Sequence, residues 1–236
     1  MQRNIKSLIG YSLQAKDGEI GRIDEFYFDD ENWSIQYLIV QTGSWLNGRK
    51  VLIAPQSVER TDSEAKKFHI NLSKELIKTS PDIDTDKPVS GQQEISLYGH
   101  YAWDRYGGGG FYAGGSAPFL NTPVIIDEKI LKETGSNHAR KDDDLHLRST
   151  NALTGYHIHA TDGEIGHVND FIIDDKTWQV LYFVIDTHNW FGGKKVLVDV
   201  KNITDIQWEN SKIILDISME DVKNCELFEE SDYDYP

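Results

Sequence analysis

Histidine is the residue type best placed to do chemistry in this chain. Six of the eight histidines, His138, His146, His157, His159, His167 and His188, fall within one stretch. Side chains two apart on a strand share a face, so His157 and His159 form a ligand pair suited to zinc or nickel if a third donor, His167 or Asp170, faces them across a hairpin. With an ordinary imidazole pKa of about 6.5 the same cluster would also suit a pH-sensitive interface that needs no metal. The plainer reading is a set of partly exposed strand histidines. Other reactive groups are poorly supported. There is no Gly-x-Ser-x-Gly motif, and Cys225, the single cysteine, stands beside the acidic run Glu229 to Pro236. The four glycines Gly107 to Gly110 are not followed by Lys-Ser/Thr, so they lack the residues of a phosphate loop. Among 39 acidic residues the adjacent pairs Asp29-Asp30 and Asp174-Asp175 read as turns rather than as an acid/base couple. No enzyme is expected, and no cofactor beyond a possible divalent metal.

Composition narrows the partners. The chain has 236 residues, 24 basic against 39 acidic, a net charge of −15 and 39% hydrophobic residues. That charge repels phosphate backbones and anionic bilayers alike, and no basic run offers a local exception. The longest wholly apolar stretch, Val180 to Ile185, is far shorter than the roughly 20 residues of a spanning helix. No apolar leader segment follows Met1, and one cysteine forms no internal disulfide. The expectation is a cytoplasmic protein without nucleic-acid partners or a membrane span.

The elements that must position these residues are repeated. Sliding the chain by 145 positions lays Leu8 to Lys78 on Leu153 to Lys223 without a gap, with about a third of the positions identical. Asp17-Gly-Glu-Ile-Gly21 falls on Asp162-Gly-Glu-Ile-Gly166, Asp29-Asp30 on Asp174-Asp175, Trp33 on Trp178 and Trp45 on Trp190. Ser12, Gln14 and Arg22 occupy the positions of His157, His159 and His167.

Each copy reads as β. Asp17-Gly18 and Asp162-Gly163 between apolar-containing runs predict hairpins with type I′ turns, making Asp17, Gly18, Gly21, Asp162, Gly163 and Gly166 structural turn residues. Strands are predicted over Tyr11 to Lys16, Glu19 to Phe28, Ser34 to Thr42, Arg49 to Ala54 and Lys67 to Leu72, with their equivalents in copy two. Ser73 then N-caps a short helix. The run Val180 to Ile185 is apolar on both faces, which predicts burial of its second face against copy one or another subunit. Five or six short strands per copy suit a small closed barrel.

These residues resemble the PRC-barrel family, named for the cytoplasmic domain of the photosynthetic reaction centre H subunit and shared with a ribosome maturation factor. The resemblance rests on Gly10-Tyr11 and Gly155-Tyr156, Asp-Gly-Glu-Ile-Gly, the following Phe with Asp-Asp, and the Trp and Tyr of the next strand. His146-Leu-Arg-Ser-Thr150, Leu72-Ser-Lys-Glu-Leu76 and Ser80-Pro-Asp82 add to it. It implies a mainly β chain of two tandem barrels, each closed by a short helix. Copy one would span 1–80, a Gly/aromatic-rich then acidic linker 81–147, copy two 148–225, and an acidic tail 226–236. It also implies a non-catalytic adaptor or assembly module that self-associates or docks on a protein complex. A ligand- or metal-binding, pH-responsive accessory protein, like the H subunit in electron and proton transfer, is the alternative. In the linker, Tyr101, Trp103, Tyr106 and Phe111 are dense enough to anchor an interface, and Leu181 and Phe183 of copy two join them as candidate apolar contacts.

Overall fold

The chain reverses one position before Asp17-Gly18 and Asp162-Gly163: Ala15 pairs with Gly18 and Ala160 with Gly163, so Lys16-Asp17 and Thr161-Asp162 form the turns and the glycines begin the next strands. The computed structural model describes residues 1–80, 100–101, 147–187 and 192–233. Copy one opens with a short strand β1 (Gln2–Asn4) and one helical turn α1 (Ile5–Leu8). It continues through β2 (Ser12–Ala15), β3 (Gly18–Asp29), β4 (Ser34–Thr42), β5 (Lys50–Ile53), β6 (Val58–Asp62) and β7 (Lys67–Ile70), and closes with helix α2 (Lys74–Lys78). Copy two repeats this order as β8 (Leu147–Ser149), α3 (Thr150–Leu153), β9 (His157–Ala160), β10 (Gly163–Asp174), β11 (Val180–Asp186), β12 (Lys195–Asp199), β13 (Ile203–Gln207), β14 (Lys212–Leu215) and α4 (Met219–Lys223). The chain is mainly β, with two seven-stranded sheets. Strands β6 and β13 were not expected: Val-Glu-Arg-Thr-Asp and Ile-Thr-Asp-Ile-Gln carry too little apolar alternation to announce a strand, and both run at a sheet end where one face meets water.

Strand order is β5-β4-β3-β2-β7-β6 in one sheet and β12-β11-β10-β9-β14-β13 in the other. The remaining strand of each sheet comes from the other copy. β3 is 12 residues long, and only its first half pairs with β2. Its second half pairs with β8, Tyr27 opposite Ser149 and Asp29 opposite Leu147. Likewise β10 pairs with β9 over Gly163 to His167, then with β1, Asn4 opposite Ile172 and Gln2 opposite Asp174. The two copies therefore exchange their first strands reciprocally. Buried apolar residues of both form one continuous core, from Leu13, Phe26 and Phe68 to Ile158, Phe171 and Ile213.

Two tryptophans lock this exchange. Trp33 and Trp178, at equivalent positions between β3 and β4 and between β10 and β11, have φ of 56° and 58°, a left-handed conformation that a bulky residue adopts only when its surroundings impose it. The Ile35 N–H donates to the Trp178 carbonyl and the Val180 N–H to the Trp33 carbonyl, each at 2.7 Å. Each indole then enters the opposite copy. Trp178 lies 6.0 Å from Phe68 and 6.4 Å from Phe26, while Trp33 stacks on Phe28 and meets Phe183 edge-on at 5.4 Å.

The expected turn chemistry needs two corrections. None of the loop residues Lys16, Asp17, Thr161 and Asp162 has a positive φ, so neither hairpin is type I′. Gly18, Gly21, Gly163 and Gly166 are strand residues, not turn residues. A Cβ would sit 2.1 Å from the Gln41 carbonyl oxygen at Gly21 and 2.0 Å from that of Asp186 at Gly166, so glycine lets the adjacent strand close in.

Candidate functional site

The seam between the copies holds the most concentrated polar chemistry among the described residues. Because β1 and β8 begin with equivalent residues, their side chains meet equivalent partners. Arg3 Nε donates to Asp175 Oδ2 at 2.8 Å, and Arg148 Nε to Asp30 Oδ2 at 2.9 Å. One position on, Asn4 Nδ2 donates to Asp170 Oδ2 at 3.0 Å, and the Ser149 hydroxyl donates to the Glu25 carboxylate. Asp170 also accepts from the Phe171 N–H at 2.8 Å and the Lys6 N–H at 3.2 Å, so a carboxylate of copy two holds the first turn of copy one. Burial pushes the Asp170 carboxyl above the usual carboxylate range, partly opposed by these donors. Thr150 makes the reciprocal tie in copy one, its hydroxyl donating to the Phe26 carbonyl at 3.1 Å. Sequence reasoning missed this seam, although the equivalence of Arg3 with Arg148 and of Asp30 with Asp175 was its signal.

The histidine cluster takes a different form from the expected ligand set. His157 and His167 are direct cross-strand partners, and His159 faces Glu164. His157 Nδ1 lies 2.8 Å from Glu164 Oε1, and His159 Nε2 lies 3.9 Å from Glu164 Oε2. Asp170 is turned inward to Asn4 and cannot serve as the third donor. Among the described residues no group of three or more His, Cys, Asp or Glu side chains is arranged to hold a metal ion. Cys225 is half-buried, and burial followed by the Asp221 charge pushes its thiol pKa up, away from thiolate chemistry.

The candidate contact residues separate. Trp103, Tyr106 and Phe111 lie outside the described residues. Tyr101 is buried, its ring 4.9 Å from His100, whose Nε2 lies 2.7 Å from the Leu76 carbonyl oxygen. Burial raises the Tyr101 phenol pKa, while a hydrogen bond with Ser80 and the Arg49 charge lower it. Phe183 is 1% exposed, inside the core against Phe171 of its own copy and Trp33 of copy one, the latter being one of the two burials expected for its face. Leu181 is half-buried. The opposite face of β11, with Tyr182 and Val184, is also covered from within the chain, by residues expected to form an acidic tail. Val184, Ile172 and Leu197 form a separate apolar cluster with Tyr233, with Tyr182 and Phe228 packed against it.

Asp17 and Asp162 do more than shape their hairpins. Asp17 Oδ1 accepts from the Lys74 N–H at 2.7 Å and Asp162 Oδ1 from the Met219 N–H at 2.8 Å, tying each hairpin to the first residue of its closing helix. Ser73 and Ser218 N-cap those helices as predicted for Ser73, accepting from the Leu76 and Asp221 N–H groups.

No helix among the described residues is long and apolar enough to cross a membrane. No curated protein matches the chain. A family model described as the PRC-barrel domain matches residues 2–77 and again residues 151–222, coinciding with the two exchanged copies. With both copies matched over more than half of its length, the chain belongs to the PRC-barrel domain family.

Proposed function

We propose that this protein is a non-catalytic assembly module of the cytoplasm, a fixed two-barrel platform on which a protein partner, or a second copy, docks. The observation that supports this reading is the reciprocal strand exchange. By sharing β1, β8 and the two tryptophans, the copies become one unit whose outer surfaces keep a set spacing. A small domain alone has a marginal core, and joining two cores supplies the rigidity a scaffold needs. The polar side chains of the seam hold backbone and each other, a structural use of Asp170, Glu25, Arg3 and Arg148.

The test is reconstitution. The tagged chain, expressed at its native level, is expected to elute in a complex larger than itself with fixed stoichiometry. The purified components should re-form that complex in light scattering at pH 7 with chelator present. A monomer that forms no complex, and whose melting temperature rises only with zinc or nickel, would replace this reading with the metal-binding one.

A further inference from the structure

We propose that Asn4 and Asp170 form a proton-coupled latch on the exchanged arm of copy one: a proton held between them closes β1 and α1 onto β10, and its loss loosens that arm while the arm of copy two, β8 and α3, stays closed.

The pair lies wholly inside the seam, each residue 2% exposed. Two of the three donors to Asp170, Asn4 Nδ2 at 3.0 Å and the Lys6 N–H at 3.2 Å, belong to the arm, so this one carboxyl fastens both β1 and α1. The amide of Asn4 is anchored at one end only, since its Oδ1 is buried and meets no hydrogen-bond donor among the described residues. Nothing at that end resists a half-turn of the amide, which exchanges its oxygen and nitrogen. Turned so, Asn4 presents its carbonyl to Asp170, and two acceptor oxygens face each other. They hold together only with a proton between them, the carboxylic acid O–H of Asp170 donating to Asn4 Oδ1. Taking up that proton also removes a charge from a site nearly closed to water, and burial already favours the neutral carboxyl there. The groups around the pair are few. Lys6, on α1, favours the ionised form; Arg3, on β1, is turned to Asp175; and Val184, opposite Asp170 on β11, is apolar. Along β10 itself the nearest ionisable residues in sequence are His167 and Asp174, and α4 meets this strand at its far end, where Met219 lies against Gly163.

The other seam lacks this device. Glu25 and Ser149 stand at the equivalent positions, and the Ser149 hydroxyl donates to the Glu25 carboxylate. A hydroxyl rotates to donate or accept without moving its heavy atoms, so β8 is held in either charge state. The consequence for copy one is local. Ile5 and Leu8 seat the arm in the joined core, and its loosening uncovers the edge of β10 from Ile172 to Asp174 without separating the copies.

The experiment uses the full chain and compares amide protection of residues 3–6 with that of residues 148–151, a ratio that cancels the intrinsic pH dependence of exchange. A carboxyl whose pKa is raised in the closed arm holds it below the ordinary value and releases it as pH rises through the raised one. Between pH 4 and pH 8 the ratio is therefore expected to fall by about tenfold for each pKa unit separating the closed from the opened arm. In Asp170→Asn an amide replaces the acid and donates to Asn4 Oδ1 at any pH, so the ratio should stay constant. Asn4→Ser, which installs the side chain of the other seam, should do the same and serves if the first variant fails to fold. In the unsubstituted chain the Asp170 carboxyl carbon and the Asn4 side-chain amide, followed by nuclear magnetic resonance, should titrate with one midpoint. A ratio indifferent to pH in the unsubstituted chain, or one that falls equally in the variants, overturns the latch. So does an Asn4 amide that stays unmoved while Asp170 titrates, which would make Asp170 a buried acid uncoupled from the arm.

Discussion

Arg3 Nε lies 2.8 Å from Asp175 Oδ2, and the two residues are separated by 172 positions in the chain. Their side chains are only 6% and 12% exposed, so this is a desolvated ion pair rather than a surface contact. Removing Arg3 leaves Asp175 with the Met1 ammonium, 2.6 Å from its Oδ1, as a remaining cationic partner. Arg3→Ala is expected to lower unfolding stability by about 3 kcal/mol, the low end for breaking a buried pair. Arg148→Ala, whose partner Asp30 is equally enclosed, should act similarly. Urea unfolding of both variants checks this, and a loss within the scatter of a surface substitution would contradict it.

Trp178 is 9% exposed and sits in the left-handed region at a φ of 58°. Trp178→Ala should cost about 3 to 5 kcal/mol through the emptied contact with Phe26 and Phe68. Trp178→Gly should be less damaging than Trp178→Ala by about 1 kcal/mol, because glycine adopts this conformation without the Cβ clash. If the alanine variant is the more stable of the two, the backbone constraint is not present in solution.

Asp170 gives the fold a pH dependence of defined sign. Burial raises its folded-state pKa above the ordinary carboxylate value of about 4. Its contribution to stability is then fully present below that ordinary value and is lost as pH rises through the raised one. The stability difference between the unsubstituted chain and Asp170→Asn should therefore favour the unsubstituted chain more at pH 4 than at pH 7. Chemical denaturation of both proteins at the two pH values measures it. A difference that is constant, or that grows with pH, would exclude a raised pKa.

The exchange of first strands predicts how the copies behave when separated. Residues 1–101 and 145–236, produced as two chains and mixed, are expected to form a one-to-one complex, since β1 pairs with β10 and β8 with β3. Either piece alone should be unstable or self-associated. Light scattering and circular dichroism decide the matter, and a stable, folded monomer of either piece would count against the exchange.

The duplication, the strands that carry apolar alternation and the helix-capping serines were legible because each depends on residues close together in sequence. The exchange was not. Equivalent strands of two similar copies present the same edge and register, so no local pattern distinguishes β1 on β3 from β1 on β10. Trp33 and Trp178 concealed their conformation, since a left-handed residue is ordinarily announced by glycine or asparagine. The run of β11, apolar on both faces, signalled that both are covered, but Phe228 and Tyr233 are dispersed among acids and read as an acidic tail. Gly21 and Gly166 were found by their repetition and misassigned to turns, because close approach of a neighbouring strand leaves no mark in sequence.

Reciprocal exchange also sets an order of events while the chain is being made. The last strand of copy one, β7, ends at Ile70, yet the second half of β3 has no partner until Leu147 to Ser149 emerge, and the copy-one core is incomplete until Trp178. At a synthesis rate of about 5 to 20 residues per second, the roughly 100 residues between the two events take about 5 to 20 seconds. Throughout that interval the growing chain displays half of a long apolar strand edge, a surface that favours pairing with neighbouring nascent chains on the same message. Translation speed across the intervening segment is thus a determinant of yield for this protein, and slowing the ribosome there should increase aggregation without changing a single residue.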